Sequence, residues 1–75
     1  MKAQTTESLR AVLAANLKAL RANKGLAQEA LALDAGVHRT MLSKLERELA
    51  NPSLETLIKL ANRLEVPVSE LLSVR

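Results

Sequence analysis

Cysteine and aromatic residues are both absent from the 75 residues. Without thiols the chain has neither a disulfide framework nor thiolate metal binding. This leaves the redox compartment unconstrained but suits the cytoplasm. Without Phe, Tyr or Trp the core must be aliphatic, drawn from the Leu, Ala and Val that dominate an apolar fraction of 48%. Glycine and proline are scarce, two of each, and all four fall between stretches of helical periodicity. No apolar run reaches the ~18 residues of a membrane span. Residues 1–6 carry one Lys and no apolar segment of a signal peptide, so a soluble, unprocessed chain is expected. Charge of one sign is not abundant either. Eleven Lys and Arg against eight Asp and Glu give +3, which is compatible with a polyanionic partner without requiring one. A chain this short forms one domain, residues 1–75, with residues 1–6 expected as a disordered tail.

Alternation of period two is lacking, as is any Asn-Gly or Asp-Gly hairpin signal, so the expected fold class is all-α. Leu9, Leu13, Leu17 and Leu20, with Val12 and Asn16 alongside, form a core-facing stripe flanked by Arg10, Lys18 and Arg21. This predicts a first helix over about Glu7 to Asn23, ended at Lys24-Gly25 because glycine tolerates the left-handed backbone. A second helix, about Gln28 to Ala35, turns Leu31 and Ala32 inward and stops at Gly36. A third, about Arg39 to Arg47, buries Leu42 and Leu45 and leaves Arg39, Thr40, Ser43 and Lys44 outside. Asn51-Pro52-Ser53 reads as a loop ending in an N-cap. Leu54, Leu57, Ile58, Ala61 and Leu64 follow as a fourth helix, and a short fifth runs from Val68 to Leu72 after Pro67.

Two short helices joined through a glycine turn, the second with polar and basic residues outward, make a helix-turn-helix. Leu31, Ala32, Gly36, Val37, Leu42 and Leu45 supply the small residue at the helix crossing, the positive-φ glycine and the apolar anchors around it. Such a pair presents its second helix as a rod that the major groove admits. An enzyme is disfavoured, since paired carboxylates, a nucleophile with its base and a glycine-rich phosphate loop are all missing. His38 is the lone histidine, and without a second His or any Cys it cannot assemble a metal site; no cofactor is expected.

The stretches Gln28-Glu29-Ala30-Leu31-Ala32, Gly36-Val37, Leu42-Ser43, Leu45-Glu46-Arg47 and Asn51-Pro52-Ser53-Leu54 resemble the phage repressor and Cro-type helix-turn-helix family. The resemblance covers about Leu13 to Leu72, and Ala35 to Thr40 look somewhat like restriction-modification controllers. It implies a compact five-helix, lambda-repressor-like domain that binds double-stranded operator DNA as a dimer and controls transcription. By matching position, Arg39, Thr40 and Lys44 would read bases: Arg by two hydrogen bonds to guanine, Thr by its methyl on thymine, Lys on guanine or phosphate. Gln28 would meet a phosphate and brace the recognition helix. His38, Ser43 and Asn51 fall at the DNA backbone or groove edge, where His38 is equally a plain surface residue and Ser43 a small residue at the edge of the helix pair. Arg21 and Glu46 would form an internal ion pair, the alternative being two unpaired surface charges. The chain departs from the family at Ala27 and His38, which replace N-capping hydroxyls, and at Glu48 and Glu65, which stand where glycine usually follows a helix. Either these glutamates accept a left-handed backbone or their loops are rebuilt.

The expected activity is therefore sequence-specific DNA binding in transcriptional regulation. The competing reading is a protein-interaction module, such as an antitoxin-like partner binder, using the same helical face. Val66, Val68, Leu71, Leu72 and Val74 are more apolar side chains than a helix of about five residues can cover. They predict a homodimer contact there and a palindromic operator, the runner-up being a monomer that packs them inward and pairs only on DNA.

Overall fold

The computed structural model describes residues 3–74, which form α1 (Thr6–Asn23), α2 (Gln28–Ala35), α3 (Arg39–Glu46), α4 (Leu54–Leu64) and α5 (Val68–Leu71). Met1 and Lys2, part of the expected tail, lie outside the described residues, as does Arg75. Helix α1 starts earlier than its apolar stripe. Thr5 accepts a hydrogen bond from the Ser8 backbone N–H at 3.0 Å, and the Ser8 hydroxyl accepts one from the Thr5 backbone N–H at 3.0 Å. This reciprocal cap satisfies two donors that a helix start otherwise exposes. Thr5 is thus the N-cap of α1 and Thr6 its first residue.

Four helices end in one way. One or two residues past each helix the backbone takes positive φ: Gly25 (65°), Gly36 (74°), Glu48 (64°) and Glu65 (61°). The next N–H in each case reaches back five residues, from Leu26 to Arg21, Val37 to Ala32, Leu49 to Lys44 and Val66 to Ala61, at 2.8–3.1 Å. The glutamates therefore occupy glycine positions with the loop geometry kept, and the rebuilt-loop alternative is set aside. At the starts, Ser53 caps α4 by accepting from the Thr56 N–H at 3.1 Å. Ala27 and His38 give α2 and α3 no side-chain cap.

Leucine dominates the core, with Ala14, Ala32 and Ala61 between the larger side chains. Leu17, Leu31, Leu42, Leu45, Leu60, Leu64 and Leu71 are its largest fully buried side chains. They interlock because α1 packs on α3 and α5, α2 on α3 and α4, and α4 on α5. Two polar side chains, Glu46 of α3 and Asn16 of α1, enter this interior. Asn16, 3% exposed, donates from Nδ2 to the carbonyls of Glu70 (3.2 Å), Leu71 (3.0 Å) and Ser73 (2.8 Å). These carbonyls lie at the end of α5, where no helical N–H reaches them, so Asn16 fastens the single-turn helix to α1.

The apolar cluster expected at a dimer contact is divided between the core and the surface. Leu71 is 0% exposed, and Val66, Val68 and Leu72 pack against the core, while Val74 remains 81% exposed. Helices α1 and α4 both pack on α5 and cover Leu71. The prominent exposed apolar pair sits instead on α4, Leu54 (76%) and Ile58 (49%), one turn apart.

Glu48 carries its left-handed backbone without a hydrogen bond or ion pair from its side chain among the described residues. An L-residue there costs about 1–2 kcal/mol, and glycine returns about 0.4–1 kcal/mol of that through its freer unfolded chain. Glu48→Gly is expected to stabilise the fold by about 0.5–1 kcal/mol, raising the melting temperature by several degrees in calorimetry. A lower melting temperature would contradict the strain account. Glu65→Gly gains less, because Glu65 also pairs with Lys24 at 3.3 Å.

Candidate nucleic-acid interface

The turn between α2 and α3 occupies Gly36, Val37 and His38. Left-handed Gly36 reverses the chain, and the Val37 N–H closes on the Ala32 carbonyl at 2.9 Å. Ala32, 2% exposed, is small enough to let the two helices approach, and Leu31, Leu42 and Leu45 fill the space around it. The inner face of α3 is thereby committed to Leu42, Leu45 and Glu46. Its outer face presents Arg39, Thr40 and Lys44, with Ser43 half-buried at the margin.

A charged residue on that inner face needs partners, and Glu46 has three donors. Arg21 donates from Nε to Oε2 (2.8 Å) and from Nη2 to Oε1 (2.9 Å), and Gln28 donates from Nε2 to Oε1 (2.9 Å). The third nitrogen of Arg21 reaches the Leu26 carbonyl at 2.9 Å, just before α2. With side-chain exposures of 21% for Arg21 and 3% for Glu46, this is a desolvated two-bond ion pair, and the reading of two unpaired surface charges is excluded. The hydrogen bonds to Glu46 raise the Arg21 pKa above its ordinary value, and partial burial opposes them less strongly. One carboxylate thus joins the end of α1, the start of α2 and the last turn of α3. Through this bond Gln28 ties the start of α2 to α3.

Arg39, Thr40 and Ser43 come together in one shallow concavity, whose fourth side is Arg47. Arg47, the C-cap of α3, was not among the residues singled out from sequence. The available signal was its position seven residues, two helical turns, after Thr40. Lys44 is exposed on α3 but outside this concavity. His38 is exposed at the helix start and borders a different depression, with Met41, Thr56 and Lys59. Asn51 stands apart in the loop before α4, where its Oδ1 accepts from Arg10 Nε at 2.7 Å.

Charge follows the same division. Arg21, Lys24, Lys59 and Arg63 are each ion-paired, the last three with Glu65, Glu55 and Asp34. Among the described residues the cations outside such pairs are Arg10, Lys18, Arg39, Lys44 and Arg47. Three of these lie on α3 or its cap, so the positive field concentrates on one helix face, as a polyanion-binding rod requires. No cluster of three His, Cys, Asp or Glu suited to a metal occurs among the described residues.

The helix-turn-helix family profile matches residues 17–71. The chain belongs to the helix-turn-helix family. It is 44% identical over 66 residues to a hypothetical transcription factor of Neisseria meningitidis, covering 88% of this chain and 62% of that protein. The chain therefore spans less than two thirds of that relative. Control protein C.SmaI of Serratia marcescens is 40% identical over 65 residues, covering 87% of this chain and 77% of that protein. The crystal structure of the biofilm regulator SinR in complex with DNA superposes with a TM-score of 0.78 at 39% identity, covering 81% of this chain and 98% of that one. These relatives are regulators rather than enzymes, and the domain is a DNA-binding helix-turn-helix of the kind used in transcriptional regulation, with α3 as its recognition helix.

Arg21→Lys keeps the charge but loses the planar fork and the bond to Leu26. It is expected to destabilise the fold by about 1–3 kcal/mol in urea unfolding and to weaken DNA binding, although Arg21 is not in the concavity. A wild-type unfolding midpoint would show that the fork contributes nothing.

Proposed function

We propose that the chain occupies a palindromic operator in duplex DNA as a symmetric homodimer in the cytoplasm, and regulates transcription from the adjoining promoter. The observation that carries this reading is the concavity of Arg39, Thr40, Ser43 and Arg47 on a recognition helix locked from behind by Glu46. Arg39 grips guanine O6 and N7, and Thr40 places its methyl against thymine. Ser43 lines the floor between them. Lys44, on the flank, meets the phosphate wall rather than a base. Gln28 has one amide hydrogen and its oxygen beyond the bond to Glu46, and meets a phosphate at the start of α2. His38 and Asn51 lie at the groove edge.

The homodimer is supported by Leu54 and Ile58, exposed one turn apart on α4. A second copy covers this pair, since a two-fold operator needs two recognition helices about 34 Å apart on one face. Leu54→Glu with Ile58→Glu is expected to sediment as a monomer at micromolar concentration, where the unaltered chain sediments as a dimer. A monomeric unaltered chain would contradict the dimer.

Arg39→Ala is expected to lose about 1–3 kcal/mol on the preferred operator and little on random duplex, measured by fluorescence anisotropy at fixed salt. Equal weakening on both would make Arg39 a phosphate contact and remove it from the base-reading set.

A further inference from the structure

The bond between Arg10 and Asn51 joins residues 41 apart in sequence, at 2.7 Å, and both ends of it reach solvent. It uses only Nε of the guanidinium and Oδ1 of the amide. Arg10 makes no ion pair among the described residues, so its two terminal nitrogens, carrying four N–H donors, and the Asn51 Nδ2 group remain for another acceptor. A cation held in one orientation by an amide, with no carboxylate to neutralise it, is arranged for an anion from outside the chain.

The place of the pair indicates which anion. Asn51 follows the recognition helix by a short loop that folds back on it, with the Leu49 N–H on the Lys44 carbonyl at 2.8 Å and Ala50 packed against the core. The pair therefore lies beside the C-terminal end of α3, past Arg47. When such a helix enters the major groove, its ends approach the sugar-phosphate walls. Resting on the DNA-binding reading above, we propose that Arg10 is a phosphate contact of this domain, delivered from α1 and oriented by Asn51. Asn51 is the positioning residue, and Arg10 extends the basic surface of α3 onto a helix outside the helix-turn-helix.

The two roles separate in salt dependence. A lost phosphate contact lowers the slope of log affinity against log salt by about 0.9 and weakens specific and random duplex alike. Arg10→Gln, measured on the intact chain with a selected operator duplex and a random duplex across a salt series, is expected to bind both about 3–10-fold more weakly, with the slope reduced by about 0.9. Asn51→Ala keeps the charge and is expected to retain the slope with a smaller loss of affinity. Arg10→Lys also keeps the slope, and Arg10→Met, an uncharged side chain of similar reach, replaces the glutamine variant if that variant's thermal unfolding differs from the unaltered chain, with the same reduction of slope expected. Arg10→Gln with unaltered slope and affinity would overturn the proposal while leaving the DNA reading intact. An unaltered chain that binds neither duplex would overturn the DNA reading, and this proposal with it.

Discussion

A carboxylate turned into an aliphatic interior is costly unless every lone pair finds a donor, and removal of one partner from such a buried pair typically costs about 3–5 kcal/mol. Glu46 sits at that extreme, 3% exposed in its side chain, and meets it with the Arg21 fork and the Gln28 amide. The donors come from α1 and α2, the acceptor from α3, so the pair cannot be satisfied unless the three helices hold one mutual arrangement. Leucine packing alone tolerates small shifts of one helix over another. A directional bond network does not, and here it fixes the rotation of α3 about its own axis. The rotation decides which side chains face out, and hence what the domain can read.

The ends of the helices work to the same effect. Four left-handed residues stop four helices with the same backward hydrogen bonds, which keeps the connections short and the helix directions set. At two of them the chain uses Glu in place of Gly, giving up some stability. Glu65 recovers part through Lys24. Glu48 does not, and adds a negative charge beside the loop that leads to Asn51. At the far side Asn16 closes the domain by gathering the carbonyls at the end of α5, so a helix of one turn can serve as the lid of the core.

The helices and their turns were legible in the sequence because periodicity and punctuation agree. Leucines at helical spacing, Gly25 and Gly36 past their helices and Ser53 before α4 all fall where the structure uses them. The cap of α1 was not read from the sequence, because Thr5 pairs with Ser8 rather than with the Glu or Gln that usually marks such a cap. Burial of Leu71 was missed because a one-turn helix has no periodicity of its own, and what covers it comes from distant α1 and α4. Family position led to Arg21, Glu46 and Gln28, but that Gln28 shares the Glu46 carboxylate could not be read from spacing. Arg47 was legible as a helical neighbour of Thr40 and was passed over as part of the motif's frame. The link of Arg10 to Asn51 spans most of the fold, and no local pattern announces it.

The central claim is that a helix fixed by Glu46 reads base sequence in duplex DNA. Selection from a pool of random duplexes with the intact chain tests it most directly. Successive rounds are expected to converge on one motif repeated in inverted orientation, with half-site centres about 10 base pairs apart. Retention of duplexes without sequence enrichment, through charge alone, would contradict it.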